Sequence, residues 1–243
     1  MERDVSESLL VRLWKEHVDA AYLYRGMSLK DLGDCLDPTA DPFADVRPKL
    51  RRLIDLLQRL LDAGFEFTVH EDYSGLSFDL ADILAWSRHD LDDPGIDFTS
   101  SHENARGYAR NFQGSQLKQN LRYITGHLPE RGEDRLVRTL MRPEDWRLAA
   151  DVNRWASRAS ASHRMAVIWV RRSCRVFDSA RCDAVSVGSY PRFREKVMER
   201  MARDHLPPSE EAVRGALREP DAFDVRITQP LPRAEIERVE EIG

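Results

Sequence analysis

The chain has 243 residues, 42% hydrophobic and 33% charged, so it can bury a full core and is too apolar for general disorder. Its 37 basic and 42 acidic residues give a formal net charge of −5, which argues against bulk nucleic-acid binding. No apolar run approaches the roughly 20 residues of a membrane span, and the amino-terminal residues lack the pattern of a secretory signal, so no membrane partner is expected.

The first half of the sequence predicts alternating helices and strands. Leu9, Leu13 and Val18 recur at helical spacing, and the leucines between Leu50 and Leu61 form a second apolar stripe that Gly64 ends. In chain order, we predict a helix at 6–19, a strand at 20–26, a short helix at 29–36, a loop at 37–47, a helix at 48–63, a strand at 65–69, a helix at 77–89, a strand at 96–101 and a helix at 103–112.

The second half predicts a mainly helical region followed by further strands. Pro143 suits the first turn of a helix, and alternating Met165, Val167 and Trp169 indicate a strand. We predict helices at 116–128, 133–141 and 143–160, a strand at 163–172, another at 181–190, helices at 190–206 and 209–218, a strand at 222–230, and a last turn and short strand within 232–242. This order indicates the α+β class, as one domain over 1–243 with a helical insertion at about 115–160.

The three cysteines, Cys35, Cys174 and Cys182, do not have metal-ligand spacing. The histidines show no HxxxH pattern, so no metal is expected, and a reduced, cytoplasmic location is the simpler interpretation. The glycine motifs of Rossmann and P-loop nucleotide sites and the GxSxG elbow are absent as well.

Arg25 follows a short apolar strand and precedes Gly26. An arginine fork matches phosphate oxygens in a bidentate manner, and a glycine lets the backbone approach a ligand closely. The alternative for Arg25 is an ordinary surface residue before a turn.

The hydroxyls of Ser100 and Ser101 end a strand and could bind a ribose or a carboxamide. Alternatively, Ser100 and Glu103 form a capping box, or Ser101 is the cap. Tyr108, on the helix that follows, could stack on a flat ring or fill the core.

Three acidic residues, Glu219, Asp221 and Asp224, lead into the late strand. A carboxylate beside a sugar can stabilise an oxocarbenium-like transition state. The alternative is a solvated acidic turn.

Together these elements resemble the arginine–serine–glutamate class of mono-ADP-ribosyltransferases. Leu23-Tyr24-Arg25-Gly26 resembles the family's aromatic-Arg-Gly strand, and Phe98-Thr99-Ser100-Ser101-His102 partly resembles its aromatic-Ser-Thr-Ser strand, with Ser100 at the first serine. The family's late Glu-x-Glu or Gln-x-Glu corresponds here to Ala222-Phe223-Asp224, so Asp224, Glu219 and Asp221 all stay open as the acid.

The resemblance implies a split β-sandwich core with helical insertions that binds NAD as a substrate. Arg25 would hold a phosphate, Ser100 would orient the nicotinamide ribose and the acid, and Asp224 would stabilise the cation as nicotinamide leaves. The remaining residues implied to contact NAD are Tyr24, Gly26, Thr99, Ser101 and Tyr108. ADP-ribose would pass to a protein or nucleic-acid acceptor, which the sequence does not identify.

Two other functions are consistent with the sequence. The protein could be an ADP-ribosyltransferase-like binding module for a nucleotide or a partner protein, with weak or lost catalysis, as the missing Glu-x-Glu suggests. It could instead be a helical interaction protein whose amphipathic segments at 48–63, 115–160 and 190–217 contact partners.

Overall fold

The computed structural model describes residues 5–37, 46–70, 77–92, 95–112, 116–129, 135–158 and 164–242. In chain order the elements are α1 (Glu7–Trp14), β1 (Tyr22–Ser28), β2 (Cys35–Leu36), α2 (Arg47–Asp62), β3 (Thr68–His70), β4 (Ser77–Asp79), α3 (Leu80–Asp92), β5 (Ile96–Thr99), α4 (His102–Phe112), α5 (Gln116–His127), α6 (Arg135–Leu140), α7 (Pro143–Arg158), β6 (Met165–Arg171), α8 (Tyr190–Arg203), α9 (Glu210–Ala216), β7 (Asp224–Ile227), β8 (Leu231–Pro232) and β9 (Ile236–Ile242). Helices together with an antiparallel sheet confirm the α+β class.

The chain divides into two compact units. One comprises 1–39, 95–114 and 164–243, and the other comprises 40–94 and 115–163. The helical insertion predicted at 115–160 falls inside the second unit, which also includes the helix predicted at 48–63.

The first unit is built on a five-stranded antiparallel sheet in the order β7-β5-β1-β6-β9. One face of this sheet is apolar: Leu23 of β1, Phe98 of β5 and Val225 of β7 are buried there with Phe177. Helix α4 covers the other face, where it packs on β1 and β6. Because side chains alternate along a strand, the two faces have opposite chemistry, and the polar face carries most of the predicted site.

The second unit is mainly helical, with a small β3–β4 hairpin. Its core forms around α2, whose buried residues recur with the helical period: Leu50, Leu53, Ile54, Leu56, Leu57 and Leu60. These side chains pack with residues of α3, α5 and α7. Pro143 begins α7, as predicted, because a first-turn residue has no backbone N–H bond to lose.

Two predicted elements are wrong. The helix predicted at 29–36 is only a 3₁₀ turn, Leu29–Asp31, capped by Ser28, and the chain then extends so that Leu36 pairs with Leu231. The strand predicted at 181–190 is reduced to one bridge between Arg181 and Arg226. In both places a pairing partner distant in sequence decides the local conformation.

Other boundaries shift by a few residues. The helix predicted at 6–19 is α1 followed by a π-helical turn, Lys15–Asp19. The helix predicted at 77–89 begins with β4, and the strand predicted at 65–69 starts at Thr68. Within the described ranges, no helix combines the length and the apolarity required to cross a membrane.

Candidate functional site

The three strands that carry the predicted motifs are neighbours in the sheet, in the order β7-β5-β1. Thr99 of β5 lies directly opposite Tyr24 of β1 and directly opposite Asp224 of β7. Residues paired across antiparallel strands point to the same face, so Asp224, Thr99 and Tyr24 form one transverse row. The row lies on the face that α4 partly covers.

Asp224 is the carboxylate of this row. Although it keeps an exposed surface, protein atoms displace part of its hydration, and this desolvation raises the pKa of its carboxyl above the usual range. A hydrogen bond with the Thr99 side chain lowers the pKa, and the negative charge of Asp97 raises it. The carboxyl is thus exposed at the surface, partly shielded by protein atoms, and bonded to the Thr99 hydroxyl.

The side chain of Ser100 bonds the backbone immediately before β7. Its N–H donates to the carbonyl of Phe223 at 2.9 Å, and its hydroxyl accepts the N–H of Phe223 at 2.9 Å. Ser100 therefore prolongs the pairing of β5 and β7 by one residue. The contact with the acid that the sequence assigned to Ser100 is made by Thr99, one residue earlier.

Ser101 is the cap of α4. Its hydroxyl accepts the backbone N–H of Asn104 at 3.2 Å, and its own N–H donates to the hydroxyl of Thr99 at 3.3 Å. Of the two capping alternatives left open by the sequence, the structure has Ser101 rather than Ser100. The cap connects the end of β5 to the start of α4.

Replacing Ser101 with alanine should cost about 1 kcal/mol of unfolding free energy, because it leaves a helix N–H without its acceptor. Chemical denaturation would measure the change. Ser8→Ala is a suitable control, since Ser8 is exposed within α1. Equal midpoints for Ser101→Ala and wild type would contradict the capping role.

Gly26 is required by the packing of α4. A Cβ placed on it would lie 2.1 Å from the carbonyl oxygen of Ala105 and 2.6 Å from the backbone nitrogen of Ala109. The close approach predicted for a ligand at Gly26 is therefore made by the backbone of α4. Tyr108, also on α4, is 38% exposed, so it does not fill the core and its ring is open to solvent.

Arg25 lies just beyond the paired position of β1 and β5, at a break in the ladder that we call the opening. β1 pairs with β6 along its whole length but with β5 only at Tyr24 and Thr99. Beyond that pair, Nη1 of Arg25 donates to the carbonyl of Asp97 on β5 at 2.8 Å. The guanidinium thus reaches across the space between the two strands. By alternation, however, Arg25 and Asp224 start from opposite faces of the sheet.

The other two acidic candidates lie in different surroundings. The carboxylate of Glu219 is 11% exposed, accepts the backbone N–H of Val185, and lies 3.7 Å from Nη1 of Arg200. It fixes a loop to α8, which is a structural role. Asp221 is exposed. Asp224 is therefore the only one of the three in the row with Thr99.

Sequence reasoning missed the other half of the row. Trp169 of β6 lies opposite Tyr24, and Arg238 of β9 lies opposite Trp169, with its guanidinium 4.8 Å from the indole centroid. His102, the first residue of α4, hydrogen bonds Glu240 at 2.9 Å. The missed residues come from three separate segments, β6, β9 and α4, and only the strand register brings them together.

Comparisons of the chain with models of protein families, with curated proteins and with solved structures found no match. What bears on function is therefore the arrangement of the chain's own side chains. Tyr24, Thr99 and Asp224 share one row, Arg25 lies at the opening beside it, and Ser100, Ser101 and Gly26 hold the surrounding backbone.

Proposed function

We propose that this protein is an NAD-dependent mono-ADP-ribosyltransferase, which cleaves the bond between nicotinamide and ribose and transfers ADP-ribose to a protein or nucleic-acid acceptor. The observation that carries the proposal is the order β7-β5-β1, which places Asp224 beside Thr99 next to the opening that Arg25 enters. The aromatic-Arg-Gly, hydroxyl and acidic elements, distant in sequence, are thereby adjacent.

The opening between β1 and β5 supports the binding of a dinucleotide. Where two strands separate, backbone groups that would bond each other in a continuous ladder can bond a ligand instead. Arg25 is the cation at this opening, and its fork suits the diphosphate of NAD. Tyr24 offers an aromatic surface on the same strand, and Tyr108 offers an exposed ring on α4.

Asp224 supports the chemical step. As nicotinamide leaves, positive charge develops on the ribose, and a fixed carboxylate stabilises it more strongly than water does. The hydrogen bond with Thr99 holds this carboxylate in place before the reaction. Because an aspartate is one methylene shorter than a glutamate, the ribose would have to approach β7 closely.

NAD binding should depend on Arg25. A ligand that binds only the folded state stabilises it by about 2.7 kcal/mol at 100 times its Kd, so NAD should raise the Tm of the wild type. Arg25→Ala should abolish most of this shift, and Arg25→Lys should keep part of it, since lysine retains the charge without the fork. Thermal denaturation with and without NAD measures both.

Arg164→Ala is the matched control, because Arg164 is an exposed arginine paired with Glu241 at the far end of β6. It should keep the full shift caused by NAD. If Arg25→Ala also keeps the full shift, the phosphate site is not at Arg25. If NAD does not raise the Tm of wild type at all, the proposed function fails.

A second function is favoured by one feature of the site. Arg25 and Asp224 start on opposite faces of the sheet, and Ala222 lies two residues before Asp224, where Glu-x-Glu would have its first acid. Such a site would bind a nucleotide without efficient turnover, as in a binding module. Release of nicotinamide from NAD distinguishes the two: binding without release favours the module.

A further inference from the structure

His102 occupies a defined position on the same face of the sheet as Asp224. Its ring centroid lies 5.2 Å from that of Tyr24 and 5.1 Å from that of Trp169, and these two rings pack edge to face at 5.0 Å. The side chain is 31% exposed. The two rings orient the imidazole, which remains partly accessible to solvent.

Glu240 determines the tautomer of this imidazole. Oε2 of Glu240 lies 2.9 Å from Nε2 of His102. Partial burial raises the pKa of Glu240, but the hydrogen bond and electrostatic attraction of His102, with the charges of Arg106 and Arg238, outweigh it, so the pKa is lowered overall. An ionised carboxylate can only accept, so Nε2 carries a hydrogen in this contact, and in the neutral imidazole the lone pair is then on Nδ1.

His102 contacts Tyr24, which shares its row with Asp224. Neighbouring strands lie about 4.8 Å apart, so Tyr24 and Asp224, two strands apart in one row, are separated by roughly 10 Å. His102 packs on the Tyr24 ring at one end of this interval. A ribose bound over this row beside Asp224 would therefore have His102 at the Tyr24 end of the row.

We propose that His102, oriented by Glu240, is the general base that takes the proton from the acceptor during ADP-ribosyl transfer. This inference rests on the proposed function. It assigns a base to a site for which the sequence resemblance provided only an acid and a phosphate ligand. Glu240 is a positioning residue, because it acts through His102.

The glycosidic C–N bond of NAD breaks, and its electron pair stays on the nitrogen, so nicotinamide leaves neutral. A lone pair of the acceptor O–H or N–H group forms the new bond to the anomeric carbon. The acceptor's proton passes to Nδ1 of His102, and the imidazolium is stabilised by the carboxylate of Glu240.

Replacing His102 with glutamine tests the base. Glutamine can still donate to Glu240 but has no basic nitrogen, so with water as acceptor we expect nicotinamide release to fall about 10²–10⁴-fold. Azide has no proton to lose, so adding it should restore release and yield ADP-ribosyl azide. A merely structural role of His102 would not be rescued by azide.

The pH profile provides a second readout. Glu240 bonds His102, the charges of Arg106 and Arg238 act on Glu240, and the Tyr24 ring packs on the imidazole. Release by wild type and release by His102→Gln should therefore depend on pH differently. Glu240→Gln should reduce release less than His102→Gln does, and Glu241→Gln, one residue along β9, should behave as wild type.

The outcomes separate the two proposals. An active wild type with an equally active His102→Gln, or a variant that azide does not rescue, overturns the role of His102 and leaves the proposed function standing. A wild type that releases no nicotinamide overturns both. Nitrogen NMR of the wild type should show the Nε2–H tautomer at neutral pH, and the Nδ1–H tautomer would overturn the assignment of His102 as base.

Discussion

Gly26→Ala should destabilise the unit that contains the five-stranded sheet by about 3 kcal/mol, the upper end of the usual cost of overpacking. The added methyl group would lie 2.1 Å from the carbonyl oxygen of Ala105 and 2.6 Å from the nitrogen of Ala109. Both atoms belong to the backbone of α4, so no side chain can rotate away and the helix itself must shift. Chemical denaturation followed by circular dichroism measures the loss.

Gly215→Ala is the matched control for this substitution. Gly215 lies within α9, where an added Cβ meets no atom within 4 Å. Alanine should therefore stabilise that helix by roughly 0.5–1 kcal/mol, since glycine is the more flexible residue in the unfolded chain. If Gly26→Ala unfolds at the same denaturant concentration as wild type, α4 is not packed on β1 as described.

The elements that the sequence predicted well are those with a strong internal period. The apolar stripe of α2 is visible in the sequence because its leucines face one core. β6 was predicted because its residues are apolar on both faces. β1 was predicted as a short strand that ends at Gly26. Local patterns of this kind arise from the burial of apolar side chains, so they are visible in the sequence itself.

Elements that depend on a distant partner were not predicted. Leu36 is extended because it pairs with Leu231, and nothing between Ser28 and Leu36 indicates that pairing. The segment 181–190 contributes a single bridge because Arg181 meets Arg226. Register across strands is set by tertiary packing. The leucines of 29–36 have helical spacing, but this spacing over eight residues does not exclude that the segment pairs as a strand.

The candidate site was predicted in part for the same reason. Tyr24, Thr99 and Asp224 were named from the sequence, and the register places them in one row. Thr99 rather than Ser100 bonds the acid, because one residue of register decides which hydroxyl faces Asp224. His102 carried no signal of its own, since its partner Glu240 is 138 residues away.

Asp224→Asn should lower nicotinamide release by about 10²–10³-fold, the scale of losing one preorganised electrostatic contact in a transition state. Asparagine keeps the shape of the side chain and can still bond Thr99, but it has no charge to stabilise the ribosyl cation. The Tm shift caused by NAD should be nearly unchanged, since the interaction forms mainly in the transition state. Asp221→Asn, three residues earlier and exposed, should act as wild type.

Comparing the stability of wild type and Asp224→Asn at several pH values tests whether the Asp224 carboxylate is desolvated in the folded protein. The pKa of an aspartate in the unfolded chain is about 3.9, and desolvation raises the pKa of Asp224 in the folded protein. The folded state thus holds the proton more tightly, so this stabilisation is fully present below about pH 3.9 and is lost as pH rises through the folded pKa. Denaturation at pH 3, 5 and 7 should show Asp224→Asn gaining stability relative to wild type as pH increases. A difference that does not change with pH would mean that Asp224 is fully hydrated, and full activity of Asp224→Asn would remove it as the acid.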